Sequence, residues 1–590
     1  MTNYSAPVRD MRFVAYEVFN IIEELNGLEG HEELSEDLLD AILDECAKIS
    51  ENILAELNQS GDHEGCRIEN GQVVTPKGFK EAYQEFSRGG WCGLTAPNNY
   101  GGQGLPETFQ YLVDEMISSG NLSFGLYPGL TQGTIICLLE HGTEEQKNTY
   151  LPKLISGEWQ GTMCLTESHA GSDLGLLKAK AEPNGDGSYR ISGTKIFISA
   201  GDHDMVDNII HLVLARLPDA PEGSRGISMF LVPKRIVSEH GDLVASNTVS
   251  VGSLESKMGM KASATCVMNF DGAIGWIVGA EHKGLAGMFT MMNKERLFVG
   301  TQGISQAELA YQKALAYSKD RVQGRRPNGK NTADPIIVHP DIRNKLLYAK
   351  AVVEAQRALA VWTHLNVDKA HRHSSSNVRR TAKNIESLMT PVIKAACTDN
   401  GTAITNMCLQ VFGGHGYVTE WGMEQLIRDV RVTQIYEGTN AIQALDLVSR
   451  KLSLNDGELF TTFMEEVRKS IAVYADNNDL RCFIDPFLSS LEQLEQVTLW
   501  LGVEKKNDPN LLGSIAVDYL ELFSVVSFAW MWVLMAAKST NTASEDDVFY
   551  LNKISLAKYF YDRILPSSGA LITSIYSGSE SIMSSHIESL

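Results

Sequence analysis

Cysteine is scarce in this chain. There are nine in 590 residues, an odd number, and no two are spaced Cys-x-x-Cys. A disulfide framework and a zinc site are both excluded as expectations. A reducing, cytoplasmic compartment is expected instead. Positive charge is also in deficit. Lys plus Arg number 51 against 73 Asp plus Glu, a formal charge of −22. Nucleic-acid binders carry basic patches, so no nucleic-acid partner is expected. Long apolar runs are nearly absent. Leu522 to Ala537 lacks a formal charge, but Asp518 and Glu521 sit just before it. A spanning helix needs about 17–25 apolar residues, so this run reads as a buried helix and no membrane span is expected. Met1-Thr2-Asn3-Tyr4-Ser5 has no basic stretch followed by an apolar run, so no cleaved signal peptide is expected. The final Glu588-Ser589-Leu590 differs from the peroxisomal Ser-Lys-Leu.

What is present is ordinary globular composition, 43% hydrophobic and 21% charged. At about 100–200 residues per domain the length suggests three to five domains. Met11, Val14, Val18, Ile21, Ile22 and Leu25 fall on one helical face, and so do Leu38, Leu39, Ile42, Leu43, Cys46, Ile49 and Ile53. Gly89 to Pro106 is loop material, and helical spacing returns over 107–155. Near residue 160 the texture changes. Asn184-Gly185-Asp186-Gly187 signals a hairpin, and 209–214 and 227–232 are short branched runs that read as strands. From about 282 to 450 the spacing is helical again. A second helical region follows the turn-like Leu454-Asn455-Asp456-Gly457. His371-Arg372-His373 reads as a solvated inter-helix tract, and no metal site is expected. The expected domains are helical 1–160, β 161–280, helical 281–452 and a helical extension 453–590. The fold class is α+β, mainly α, with a barrel-like central domain.

Five strings carry chemistry. The first is Met163-Cys164-Leu165-Thr166-Glu167-Ser168-His169-Ala170-Gly171-Ser172. The others are Lys195-Ile196-Phe197-Ile198-Ser199, Arg321-Val322-Gln323-Gly324, Gln410-Val411-Phe412-Gly413-Gly414-His415-Gly416 and Gln434-Ile435-Tyr436-Glu437-Gly438-Thr439. Each alone has a bland reading: a strand end, a core aromatic, a surface arginine, a tight turn, an exposed glutamate. Together and in this order they resemble the acyl-CoA dehydrogenase family of flavoproteins, over about residues 10–450.

The resemblance implies FAD as cofactor and an acyl-CoA thioester as substrate. It implies that Thr166, with Met163 and Leu165 beside it, meets the flavin ring. Ser172 reaches the pyrophosphate and the substrate, Phe197 stacks beside the ring, and Ser199 donates near flavin N5. Phe197 stands where the family usually has Trp. Arg321, with Gln323, crosses to the pyrophosphate of a second subunit, as guanidinium forks suit phosphate oxygens. Gly324 stands there in place of an aromatic. Gln410, Gly413 and Gly414 serve the adenosine half, and Thr439 the flavin. Arg428-Asp429 reads as a structural ion pair.

Glu437 is the implied base, taking the substrate α-proton while the flavin takes the β-hydrogen as hydride. Tyr436 and Gly438 flank the substrate. Two branches of the family place their base at the position of Glu295, beside Arg296. This chain has both glutamates, and Glu437 is favoured because its flanking string is intact. The implied product is a trans-2-enoyl-CoA, and an electron-transferring flavoprotein is the implied acceptor for a homodimer or larger assembly. The C-terminal helices resemble the longer bacterial branch that oxidises 3-(methylthio)propanoyl-CoA to 3-(methylthio)acryloyl-CoA in dimethylsulfoniopropionate breakdown. Three alternatives stand beside this: a short- or medium-chain dehydrogenase of fatty-acid β-oxidation, an acyl-CoA oxidase, and a non-catalytic scaffold.

Overall fold

The computed structural model describes residues 4–238, 241–542, 547–584 and 586–589. By internal contacts the chain divides into two compact units. One comprises 48–105 and 116–298; the other comprises 1–47, 106–115 and 299–590.

The first unit is built on a seven-stranded sheet. Its strands are β1 (Trp159–Cys164), β2 (Lys180–Pro183), β3 (Tyr189–Ser199), β4 (Asn208–Arg216), β5 (Ile227–Pro233), β6 (Val249–Leu254) and β7 (Thr265–Val278). The order is β6-β7-β3-β2-β4-β1, and β5 pairs with both β4 and β7. The path β7-β3-β2-β4-β5 therefore closes on itself, and β6 and β1 are left as the outer strands. Inside it pack Ile191, Ile198, Val213, Phe230, Val232, Cys266 and Phe270. The 184–187 turn joins β2 to β3 as an antiparallel hairpin, as its sequence signals. A second hairpin, Arg67–Glu69 with Gln72–Val74, turns at Asn70-Gly71, both left-handed (φ 51° and 79°). That Asn-Gly pair was a legible signal that the helical reading of 1–160 passed over. The apolar helix Leu122–His141 is long enough to span a membrane, but nine-tenths of its apolar window is buried, as in a core helix.

The second unit is helical. The helices that bear on the site are α1 (Gly284–Asp320, which runs on from the first unit), α2 (Pro340–Arg372), α3 (Ser376–Phe412), α4 (Asn440–Ser449) and α5 (Leu511–Thr542). Residues 11–25, expected as one helix, are broken at Asn20, whose φ of 46° is tolerated by a short polar side chain. The 454–457 turn is present, with Asn455, Asp456 and Gly457 all left-handed. The run 522–537 lies buried within α5, whose Trp532 indole donates to Ala351 O of α2 at 3.0 Å. Lys553 fastens the extension further, donating to Asp10 (2.6 Å) and Glu354 (2.7 Å). All nine cysteines are free thiols.

Candidate active site

In the β unit, Met163 is buried near the end of β1, and Leu165 and Thr166 follow it half-buried. Two bonds tie this segment to β3. Ile196 N donates to Thr166 O at 2.9 Å, and Thr162 Oγ1 donates to Ser199 O at 2.6 Å. A third link is ionic. The fully buried Lys195 ammonium lies 2.9 Å from both Glu167 Oε1 and Leu165 O. Glu167 also accepts from Lys178 N (2.7 Å) and Ala179 N (2.9 Å). Burial pushes the Glu167 carboxyl up, but Lys195 and the two amides outweigh it and hold it below the usual value.

Between Lys195 and Ile198 the register of β3 against β7 slips. Ile196 and Phe197 stand opposite the single residue Val267, which is a β-bulge. Phe197 sits in that bulge with φ 58° and remains 60% exposed. An aromatic in left-handed backbone costs about 1–2 kcal/mol, and an exposed phenyl forgoes its burial energy. Both costs make sense if a flat apolar partner covers the ring. Ser199 is half-buried, and Ser172 is exposed on its loop. Glu295 and Arg296 lie on the first-unit part of α1, 2% and 7% exposed. Glu295 occupies room that only a glycine leaves: a Cβ on Gly133 would sit 2.7 Å from its Oε1.

In the helical unit, Arg321 and Gln323 are exposed on a loop. It is pinned by Ile336 N to Arg321 O (2.8 Å) and Gln323 N to Asp334 O (3.0 Å). Gln410, Gly413 and Gly414 are exposed where α3 ends, and nothing lies within 4 Å of a Cβ built on either glycine. This open backbone suits the close approach of a dinucleotide. Each feature by itself suits part of FAD: the bare Phe197 ring a flat ring system, the open glycine turn a dinucleotide backbone. On the short helix Met423–Val430, Arg428 pairs with Glu424 one turn earlier, and Asp429 accepts from Gln425 Nε2 at 3.1 Å.

The Gln434–Thr439 loop is the most constrained part of the unit. Glu437 is left-handed (φ 55°) and half-buried, and Gly438 follows at φ 86°. Among the described residues, eleven non-glycines have positive φ, and seven are Asn, Asp or His. Phe197 and Glu437 are two of the remaining four, the others being Ala200 and Met260. Backbone strain of this kind concentrates at functional sites. Around Glu437, the Tyr436 hydroxyl donates to Gln302 Oε1, and the Gln434 amide to Asp399. Lys394 Nζ donates to Gly438 O and Asn440 Oδ1, both at 2.8 Å. Gln443 Nε2 reaches Glu437 O at 3.3 Å. Thr439 caps α4 through Ile442 N. Asn440 Nδ2 donates to Asp399 Oδ1 (2.7 Å) and Thr398 Oγ1 (2.9 Å). Sequence reasoning missed Lys394, although a lone charge within Pro391-Val392-Ile393-Lys394-Ala395-Ala396-Cys397 was its visible signal. Asp399 and Asn440 also line a cavity of about 380 Å³ whose far wall includes Glu521 of α5 and Arg563. Among the described residues no cluster of three or more His, Cys, Asp or Glu side chains is placed to hold a metal.

The β unit thus carries an outward aromatic on a barrel-like sheet, and the helical unit carries a glycine turn with open backbone and a strained glutamate loop. Comparison with known proteins identifies the family. Four family descriptions match in succession: acyl-CoA dehydrogenase N-terminal domain (41–158), middle domain (162–273), C-terminal domain (282–452) and acetyl-CoA dehydrogenase C-terminal like (463–586). The chain belongs to the acyl-CoA dehydrogenase family. It is an FAD-dependent oxidoreductase acting on the CH–CH bond of acyl-CoA thioesters.

It is 40% identical over 99% of its length to all of a 3-methylmercaptopropionyl-CoA dehydrogenase of Ruegeria pomeroyi. It is 33% identical to a butyryl-CoA dehydrogenase of Syntrophomonas wolfei, covering 96% of this chain and 95% of that one. It is 32% identical to the broad-specificity linear acyl-CoA dehydrogenase FadE5 of Mycobacterium tuberculosis, covering 96% of each. Its fold matches Caenorhabditis elegans ACDH-11 in complex with C11-CoA (TM-score 0.77, 20% identity, 96% of this chain and 93% of that one). It also matches a Bacillus anthracis acyl-CoA dehydrogenase complexed with FAD (TM-score 0.73, 21% identity, 95% and 91%).

Proposed function

We propose that this enzyme oxidises 3-(methylthio)propanoyl-CoA to 3-(methylthio)acryloyl-CoA, with Glu437 as the base. The observation that carries the role of Glu437 is its left-handed backbone, held by Lys394 and Gln443 within an intact Tyr-Glu-Gly-Thr string. The substrate rests on the full-length likeness to the Ruegeria pomeroyi enzyme.

When bound, FAD supplies the hydride acceptor. The chain does the rest. The Glu437 carboxylate takes the α-proton, and water displaced by an apolar acyl chain leaves that carboxylate a stronger base. The Glu437 backbone N–H binds the thioester carbonyl and stabilises the developing enolate, a contribution of about 2.7–4 kcal/mol for one such donor. Phe197 and Thr166 of the β unit, with Met163, Leu165 and Ser199, would hold the flavin ring, and Thr439 of the helical unit would also serve the flavin. Ser172, Arg321 and Gln323 serve the pyrophosphate, and Gln410, Gly413 and Gly414 the adenosine half. Tyr436, Gly438, Glu295 and Arg296 complete the substrate side.

The reading includes a homodimer. Arg321, Gln323 and Gln410 are exposed in the single chain, and Tyr417, beside the glycine turn, is 85% exposed. It includes an electron-transferring flavoprotein as acceptor and a cytoplasmic location, in keeping with nine free thiols.

A panel of saturated acyl-CoAs tests the substrate. The methylthio thioester should give the highest kcat/KM, with butyryl-CoA and longer chains below it. One methylene is worth about 1–3 kcal/mol in an apolar pocket, so the ranking is measurable. A higher kcat/KM for butyryl-CoA would reassign the enzyme to straight-chain substrates, the reading favoured by the Syntrophomonas wolfei likeness. Rapid reoxidation by air instead of by the flavoprotein would make it an oxidase.

A further inference from the structure

The loop that carries Glu437 is fastened by a group outside its own string. Lys394 lies in mid-α3 with no solvent exposure. A buried ammonium is costly unless it is fully hydrogen-bonded. It donates at 2.8 Å to Gly438 O and Asn440 Oδ1, which flank Thr439 at the start of α4. The Gly438 carbonyl meets Lys394 at the end of a turn in which Glu437 and Gly438 are both left-handed. A right-handed Glu437 would rotate that peptide and separate the pair. The second acceptor is itself held, since Asn440 Nδ2 donates to Asp399 and Thr398 farther along α3. Residues 394–399 of α3 thus grip the loop immediately after Glu437. Gln443, which reaches Gly438 O at only 3.5 Å, is a poor substitute for the ammonium.

We infer that Lys394 is a positioning residue for the dehydrogenation: its bond to Gly438 O holds the left-handed turn that presents the Glu437 carboxylate and N–H. The inference rests on the reading of Glu437 as the base. Lys394 exchanges no proton with substrate. It fixes where the base and its amide stand, and a misplacement of about 1 Å in such a constellation costs about 100-fold in rate.

The test uses FAD-loaded enzyme mixed without oxygen with its best thioester substrate. Wild type, Lys394→Met, Lys394→Gln and Glu437→Gln are compared. Lys394→Met should slow single-turnover flavin reduction by about 100-fold with substrate affinity changed little. Lys394→Gln, which can still donate to one carbonyl, should recover about tenfold of that loss. Hydrogen exchange gives a readout that does not depend on turnover: amides of 435–441 should exchange faster in Lys394→Met than in wild type, with or without FAD. A purely structural lysine would lower melting temperature and FAD content while leaving the reduction rate of the loaded fraction intact. That result, or a Lys394→Met rate within about twofold of wild type, overturns the inference. Should Lys394→Met fail to fold, Lys394→Gln and the exchange of 435–441 in Asn440→Ala decide the matter; wild-type exchange in both overturns it. Full activity in Glu437→Gln would instead overturn the reading of the base, whatever Lys394 does.

Discussion

Lys195 and Glu167 form a buried ion pair, with Nζ 2.9 Å from Oε1, that locks the loop after β1 to β3. The lysine side chain has no exposure and the glutamate 6%, so neither charge has water to fall back on. Removing one partner leaves the other charged and buried, at a cost of about 3–5 kcal/mol. Lys195→Met should therefore destabilise the enzyme strongly in denaturant titration. Lys195→Met combined with Glu167→Gln should recover part of that loss. Because Thr166 O and Leu165 O are held by the same strand, FAD affinity should fall in the single variant.

Phe197 gives a prediction of opposite sign for stability and binding. Its left-handed φ of 58° is natural for glycine and strained for phenylalanine. Phe197→Gly should leave the apo-protein no less stable, as measured by melting. FAD affinity should nevertheless drop, because the exposed ring is the surface a flavin would cover. Equal FAD affinity would remove Phe197 from the cofactor site.

Gly414 makes a cleaner test of the adenosine turn. No atom lies within 4 Å of a Cβ built there, so Gly414→Ala is tolerated by the chain itself. The added methyl would intrude on the space into which the dinucleotide must come. Normal folding by circular dichroism with weakened FAD binding is the expected result.

Asp368 sets a pH dependence. It is buried and accepts from Glu107 N (2.8 Å), Thr108 N (2.9 Å) and Thr108 Oγ1 (2.6 Å) at the start of the helix Glu107–Gly120. Burial pushes its carboxyl up to about 6, against the opposing pull of the Thr108 hydroxyl. The folded state thus keeps a proton that the unfolded chain loses near 3.8. Stability contributed by this group is present below about 3.8 and is lost as pH rises to about 6. Wild type minus Asp368→Asn should fall across that window by about 3 kcal/mol, at about 1.4 kcal/mol per pH unit, and be flat above it. A difference independent of pH would show that Asp368 is ionised throughout.

The strings around Thr166, Phe197, Gly413 and Glu437 were legible because each is contiguous and carries its own turn or strand signal. The bulge at Phe197 was not, because it exists only in the pairing of β3 with β7, some 70 residues away in sequence. Lys394 stood 43 residues before the glutamate whose loop it holds, and nothing local in α3 announces that distant partner. The break at Asn20 was hidden by apolar spacing that runs through it, since periodicity does not register one left-handed residue. The buried fate of 522–537 was readable from its length and its acidic flank.

The central claim is that Glu437, and not the buried Glu295, takes the α-proton. It is tested most directly by mixing FAD-loaded wild type, Glu437→Gln and Glu295→Gln without oxygen with 3-(methylthio)propanoyl-CoA and following loss of the visible flavin absorbance. The account predicts rapid bleaching in wild type, its abolition in Glu437→Gln and its survival in Glu295→Gln. Abolition in Glu295→Gln with bleaching retained in Glu437→Gln would contradict it and move the base to α1.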